Sequence, residues 1–152
     1  SKVEPVVDKT GFFRQSCAGK SVRGIRLMSI PWILQQRTYR RLRVGAQVIK
    51  GKKVSEKVRF LVVPASQTIY RQALEEGLID IFMDAGAIVM NPNVVYAGEA
   101  ARRDRRERSL ISTGTRNFKG RAGHPSSKVY LGSAVTVTAS AIKGEIALAS
   151  DL

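Results

Sequence analysis

The sequence predicts an α/β fold: three layers built on a parallel or mixed sheet. Residues 58–63, VRFLVV, form an unbroken β-branched and aromatic run closed by Pro64. A run this continuous reads as a strand buried on both faces. Residues 87–90, AIVM, make a second apolar run, broken by Asn91 and Pro92. Between the two lie two short helical patterns punctuated by Gly77 and Gly86. A strand–helix–helix–strand order of this kind calls for parallel pairing.

The elements follow in chain order. Residues 1–43 show no sustained period of two or 3.6, despite Val3, Val6, Val7 and the apolar trio Trp32, Ile33 and Leu34. Weak or irregular structure is expected there. The domain proper is expected to span residues 44–152. Its first helix carries Leu42, Ala46, Val48 and Ile49 and is stopped by Gly51. After the 58–63 strand, Ser66 is placed to cap a helix running to Glu76, with Ile69, Ala73 and Leu74 on its inner face and Gly77 as its stop. Residues 79–85 give a further helix halted at Gly86. Residues 87–90 are expected as a buried strand, and residues 94–108 as an irregular basic stretch. Short strands are predicted at 109–112 and 129–131. A helix of small residues, able to pack close to a neighbour, is predicted over 134–142 and ended by Gly144.

Composition narrows the function. A chain of 152 residues has room for one domain with a core. It holds no apolar run long enough to span a bilayer, so no membrane partner is expected. The N-terminal residues lack the apolar core of a signal peptide. The single cysteine, Cys17, excludes an internal disulfide and fits a reducing, cytoplasmic setting. The net charge of +14 invites a nucleic-acid reading. However, the excess is concentrated at residues 37–43 and 102–108, and only Tyr39 is an aromatic among those arginines. A nucleic-acid surface usually interleaves its cations with aromatics, so this pattern argues against such a partner.

The densest chemistry lies in residues 111–144, ISTGTRNFKGRAGHPSSKVYLGSAVTVTASAIKG. Arg116 and Arg121 sit five apart on a glycine-broken loop. Each guanidinium offers a rigid fork of donors that matches a carboxylate. Two forks on one loop suit a small substrate with more than one carboxylate, although a basic surface turn has the same composition. His124, the only histidine, sits between Gly123 and Pro125 and reads as a loop hydrogen-bonder rather than a base. Residues 18–21, AGKS, echo the end of a phosphate-binding loop, but Arg14 stands where that motif needs glycine and no strand precedes it.

The stretch RNFKGRAGHPSSKVYLGSAVTVTASAIKGEI, together with residues 44–93, VGAQVIKGKKVSEKVRFLVVPASQTIYRQALEEGLIDIFMDAGAIVMNPN, resembles the aconitase superfamily. The resemblance is strongest to the large subunits of 3-isopropylmalate dehydratase and homoaconitase, and it covers about two thirds of the chain. It implies the third α/β domain of such a subunit and a separate small-subunit partner. It also implies a hydro-lyase reaction that moves a hydroxyl between adjacent carbons of a di- or tricarboxylate. For the dehydratase this is the interconversion of 2- and 3-isopropylmalate in leucine biosynthesis. Arg116 and Arg121 match the family's substrate-carboxylate arginines, while Thr115 stands where the motif usually has asparagine.

The resemblance further implies a 4Fe-4S cluster held by three cysteines, one from a Gly-Ser-Cys-Thr-Asn-Gly-Arg-like loop and two from a Cys-Gly-x-Cys pair. Neither motif is present. The first should precede VGAQVIKG, where residues 30–43 read IPWILQQRTYRRLR; the second should follow Asn93, where the chain reads VVYAGE. Permitted codons in a neighbouring reading frame include a close counterpart of the first loop, with its cysteine over Leu34 and Gln35, and an imperfect counterpart of the second beginning over Val94, which points to two local frame slips, each later restored. The coding DNA tests this: bases that do not spell those cysteines in the adjacent frames end the idea. The chain on its own is expected to be inactive. Alternatives from the same residues are a homoaconitase-type subunit and a catalytically dead basic protein that binds nucleic acid.

Overall fold

A computed structural model of the chain describes residues 31–36, 39–92, 109–114 and 128–152. Five strands form one sheet: β1 (Pro31–Gln36), β2 (Arg59–Pro64), β3 (Ile88–Val89), β4 (Ser109–Ser112) and β5 (Lys128–Leu131). Among the described residues, four α-helices accompany them: α1 (Tyr39–Ile49), α2 (Gln67–Glu75), α3 (Leu78–Asp84) and α4 (Ala134–Lys143). A 3-10 turn over Ala149–Asp151 follows. The spatial order is β3-β2-β1-β4-β5, and every pairing is parallel. The α/β class and the parallel pairing expected from the sequence are what the structure shows.

The chain steps outward from β1 through β2 to β3. It then returns to the other side of β1 for β4 and β5. The direction of winding therefore reverses between β1 and β4. In open parallel sheets, such a reversal opens a crevice at the carboxyl ends of the strands, where ligands bind.

Phe60, Val62, Ile111 and Tyr130 share one core cluster with Leu42, Ala46 and Ile49 of α1, Phe82 of α3, and Val137 and Ala141 of α4. Phe82 meets Phe60 edge-on, with ring centroids 6.2 Å apart. The alternate residues Leu61, Val63 and Leu110 are buried as well. Because successive side chains of a strand point to opposite faces, β2 is covered on both, which is why it reads as an unbroken apolar run. Helix α4 is buried from Thr136 through Ala141, and its Ala, Ser and Thr side chains allow that close packing.

Three expectations are corrected. The central strand β1 and the first residues of α1 lie inside the stretch 1–43, where irregular structure was expected. A short strand paired on both sides carries no alternation to detect, and the arginines of α1 masked its apolar stripe. The run at 87–90 shrinks to the two-residue edge strand β3, where Ile88 is 43% exposed. Leu74 is also exposed, at 47%, whereas Ile69 and Tyr70 pack on the core beside buried Ala73. One step along a helix turns a side chain by about 100°, which carries Leu74 off the face set by Ile69 and Ala73.

Candidate functional site

A cleft of about 660 Å³ opens at the carboxyl edge of the sheet. Arg40, Arg41 and Val44 of α1 line one wall. Thr113 and Gly114, just past β4, line a second, and the β5–α4 junction from Gly132 to Val135 lines the third. The cleft thus sits where the winding of the chain reverses.

Local chemistry fixes these walls. The Ser112 side chain accepts from Gly114 N at 3.0 Å, turning the chain out of β4. The Ser112 carbonyl accepts from Gly132 N at 2.9 Å, tying the ends of β4 and β5 together. A Cβ on Gly132 would lie 3.0 Å from Ile111 Cδ1 and 3.3 Å from Val137 Cγ2, so a larger residue there would press on both core side chains. Ser133 caps α4 by accepting from Thr136 N at 3.2 Å.

The described lining of the cleft carries charge of one sign. Among the described residues lining it there are two arginines and no carboxylate. The first turn of α1 carries no acidic residue. Two cations at the positive end of a helix run against the dipole, so α1 adds to the positive potential instead of offsetting it. Helix α4 points its own N-terminus at the same space, and the backbone N–H groups of a first turn have no intrahelical partner.

Arg43, on the same helix, behaves differently. Its guanidinium contacts both Glu76 carboxylate oxygens, at 2.6 and 3.2 Å, and lies 4.9 Å from the Tyr39 ring centroid. That guanidinium holds the Glu76 carboxyl below its usual range. No ion pair joins Arg40 or Arg41 to a carboxylate among the described residues. The described lining contains no His, Cys, Asp, Glu, Lys or Tyr. These walls can therefore bind and orient an anion but offer no group suited to proton transfer near neutral pH.

Of the residues singled out from the sequence, Arg116, Arg121, His124, Thr115 and Cys17 lie outside the described residues. The segment bearing both arginines follows directly after Gly114, which lines the cleft. Arg40 and Arg41 were read only as members of a basic cluster. The signal that marks them is their position in a helix's first turn, where acids are favoured.

Of the two places where cysteine motifs would fall, the first, within residues 30–43, takes in β1 and the start of α1, and the second, after Asn93, lies outside the described residues. The donor set does not fit the iron–sulfur cluster implied by the resemblance. The sequence holds one cysteine, and three thiolates are required. Among the described residues, no three His, Cys, Asp or Glu side chains group as metal ligands. Also among the described residues, no helix is long and apolar enough to cross a membrane.

Comparison with known proteins follows the same lines. A profile described as the aconitase family (aconitate hydratase) matches residues 36–144. The chain is 48% identical over 110 residues to the 3-isopropylmalate dehydratase large subunit of Desulfitobacterium hafniense. It is 51% identical over 115 residues to the probable 3-isopropylmalate dehydratase large subunit of Methanothermobacter thermautotrophicus. It is 46% identical over 111 residues to the 3-isopropylmalate dehydratase large subunit 2 of Archaeoglobus fulgidus. These alignments take in 69%, 69% and 70% of this chain but only 25%, 25% and 26% of those relatives. The chain thus spans about a quarter of the length of the curated relatives it matches.

Proposed function

The chain belongs to the aconitase family, and from that premise we propose that it is a portion of a 3-isopropylmalate dehydratase large subunit that grips the carboxylates of a malate-type substrate. The observation that carries this reading is the cleft at the carboxyl edge of the sheet, whose Gly114 wall leads by two residues to Arg116. Arg116 and Arg121 are the carboxylate-binding pair. Each presents a two-donor fork to one carboxylate, and holding both ends of a dicarboxylate fixes the carbons between them. In the full assembly, the remainder of the large subunit and a small subunit would close over that substrate and supply the acid–base groups the described walls lack. A single thiol cannot hold the family's cluster, so no step through that cluster is assigned to this chain. Its part is binding and orientation, and by itself it does not turn over substrate.

Calorimetric titration of the full chain with 3-isopropylmalate tests the reading. Binding that weakens about tenfold or more in Arg116→Gln/Arg121→Gln is expected. Binding unaffected by that double substitution would overturn the assignment of the two arginines.

A further inference from the structure

We propose that Ser112 is a positioning residue for substrate binding, one that fixes the point and direction at which the arginine-bearing segment leaves the sheet. The inference rests on the role proposed above for Arg116 and Arg121. Neither the resemblance nor the relatives assign Ser112 a part.

Three bonds of one residue carry it. Ser112 is the last residue of β4 and is buried. Its backbone is paired with Leu131 in the parallel ladder to β5. Its carbonyl accepts from Gly132 N at 2.9 Å, which ties it to the wall of the cleft that runs into α4. Its hydroxyl oxygen accepts from Gly114 N at 3.0 Å, which ties it to the wall that leads toward Arg116. A single side chain therefore joins a fixed strand end to two walls of one cleft.

The bond to Gly114 stands where strand gives way to loop. A serine hydroxyl that takes the N–H two residues on offers the backbone an alternative to the ladder and turns the chain. Arg116 follows Gly114 by two residues. Loops hold binding groups in place when a rigid scaffold fixes their roots, and here the root is a buried strand end. A guanidinium fork must align two donors with two carboxylate oxygens, so it tolerates little displacement at that root. Ser66 supplies the contrast. Its hydroxyl oxygen accepts from Ile69 N at 3.2 Å and caps α2, but Ser66 is not among the residues lining the cleft.

The test pairs calorimetric titration of the full chain with 3-isopropylmalate and urea unfolding of the same variants. Ser112→Ala is expected to weaken binding about two- to tenfold, the range set by the loss of one hydrogen bond. Ser112→Thr keeps the acceptor oxygen and should bind as the unmodified chain does. Ser66→Ala should lower the urea midpoint and leave the affinity unchanged. If Ser112→Ala does not fold, Ser112→Cys keeps the shape with a much weaker acceptor and reads the same loss. Unchanged affinity in the variant that folds would overturn the proposal. Equal weakening in Ser66→Ala, or binding in Ser112→Thr as weak as in Ser112→Ala, would reduce the effect to stability or packing and overturn it too. Weakening in Arg116→Gln/Arg121→Gln without weakening at Ser112 would sink this inference and leave the proposed function intact. No binding by the unmodified chain, or none lost in the arginine variant, would remove both.

Discussion

Gly144 ends α4 in a left-handed conformation, with φ of +79°. Its replacement by alanine separates two costs that usually arrive together. The first is backbone strain, about 1–2 kcal/mol for a residue with a Cβ. The second is steric: a Cβ at 144 would stand 2.7 Å from Ser55 Oγ and 3.2 Å from Ser55 Cβ. The hydroxyl can rotate away, but the Cβ moves only with its backbone. That backbone is tied down, since Ser55 N donates to Ala141 O at 3.0 Å. Overpacking of this kind costs about 1–3 kcal/mol. Gly51 provides the reference, because its φ is +73° and nothing lies within 4 Å of a Cβ built there. Gly51→Ala is therefore expected to cost about 1–2 kcal/mol, and Gly144→Ala about 2–5 kcal/mol. Urea unfolding of the full chain followed by far-UV circular dichroism reads both as shifts in midpoint at constant slope. In a Ser55→Gly background, the cost of Gly144→Ala should fall to that of Gly51→Ala. Equal costs at the two glycines in the native background, or no relief in the Ser55→Gly background, would refute the reasoning.

Three further outcomes are expected. Phe82→Ala, which empties a fully buried site against Phe60, should cost about 3–5 kcal/mol in the same urea assay, whereas Leu74→Ser should stay within about 0.5 kcal/mol. The Glu76 carboxyl is lowered chiefly by its hydrogen bond from Arg43, so its stabilising contribution is complete above the unfolded carboxylate value of about 4.3 and is lost as pH falls through the lower folded value. Arg43→Gln should remove that part of the acid limb, and added salt should shrink the difference because the pair is exposed; an acid limb identical in both proteins would contradict the pairing. Anaerobic reconstitution of the 152-residue chain with iron and sulfide should yield no stoichiometric cluster absorbance, since one thiolate cannot replace three; full occupancy would overturn that account.

The local grammar of the fold was legible in the chain. Ser66 and Ser133 cap the helices they precede, each accepting from the N–H three residues on. Gly51, Gly77, Gly86 and Gly144 all take positive φ where helices end or turn. These outcomes depend on residues within one or two turns of each other, so a pattern confined to one stretch can specify them. The exposed faces of Leu74 and Ile88 were misread because burial depends on which neighbours arrive from elsewhere in the chain.

By itself, the sequence determined the element types beyond residue 43, the parallel class and the family, and it determined that one thiol must stand where the family needs three. Tertiary structure alone decided that β1 lies at the centre of the sheet with β4 across from β2, because strand order is a choice among distant pairings that no local period encodes. That choice brings Arg40 and Arg41 to the same cleft as Gly114 and the start of α4, more than seventy residues away along the chain. Electrostatic potential at a site sums over groups that are near in space, and only folding makes these near.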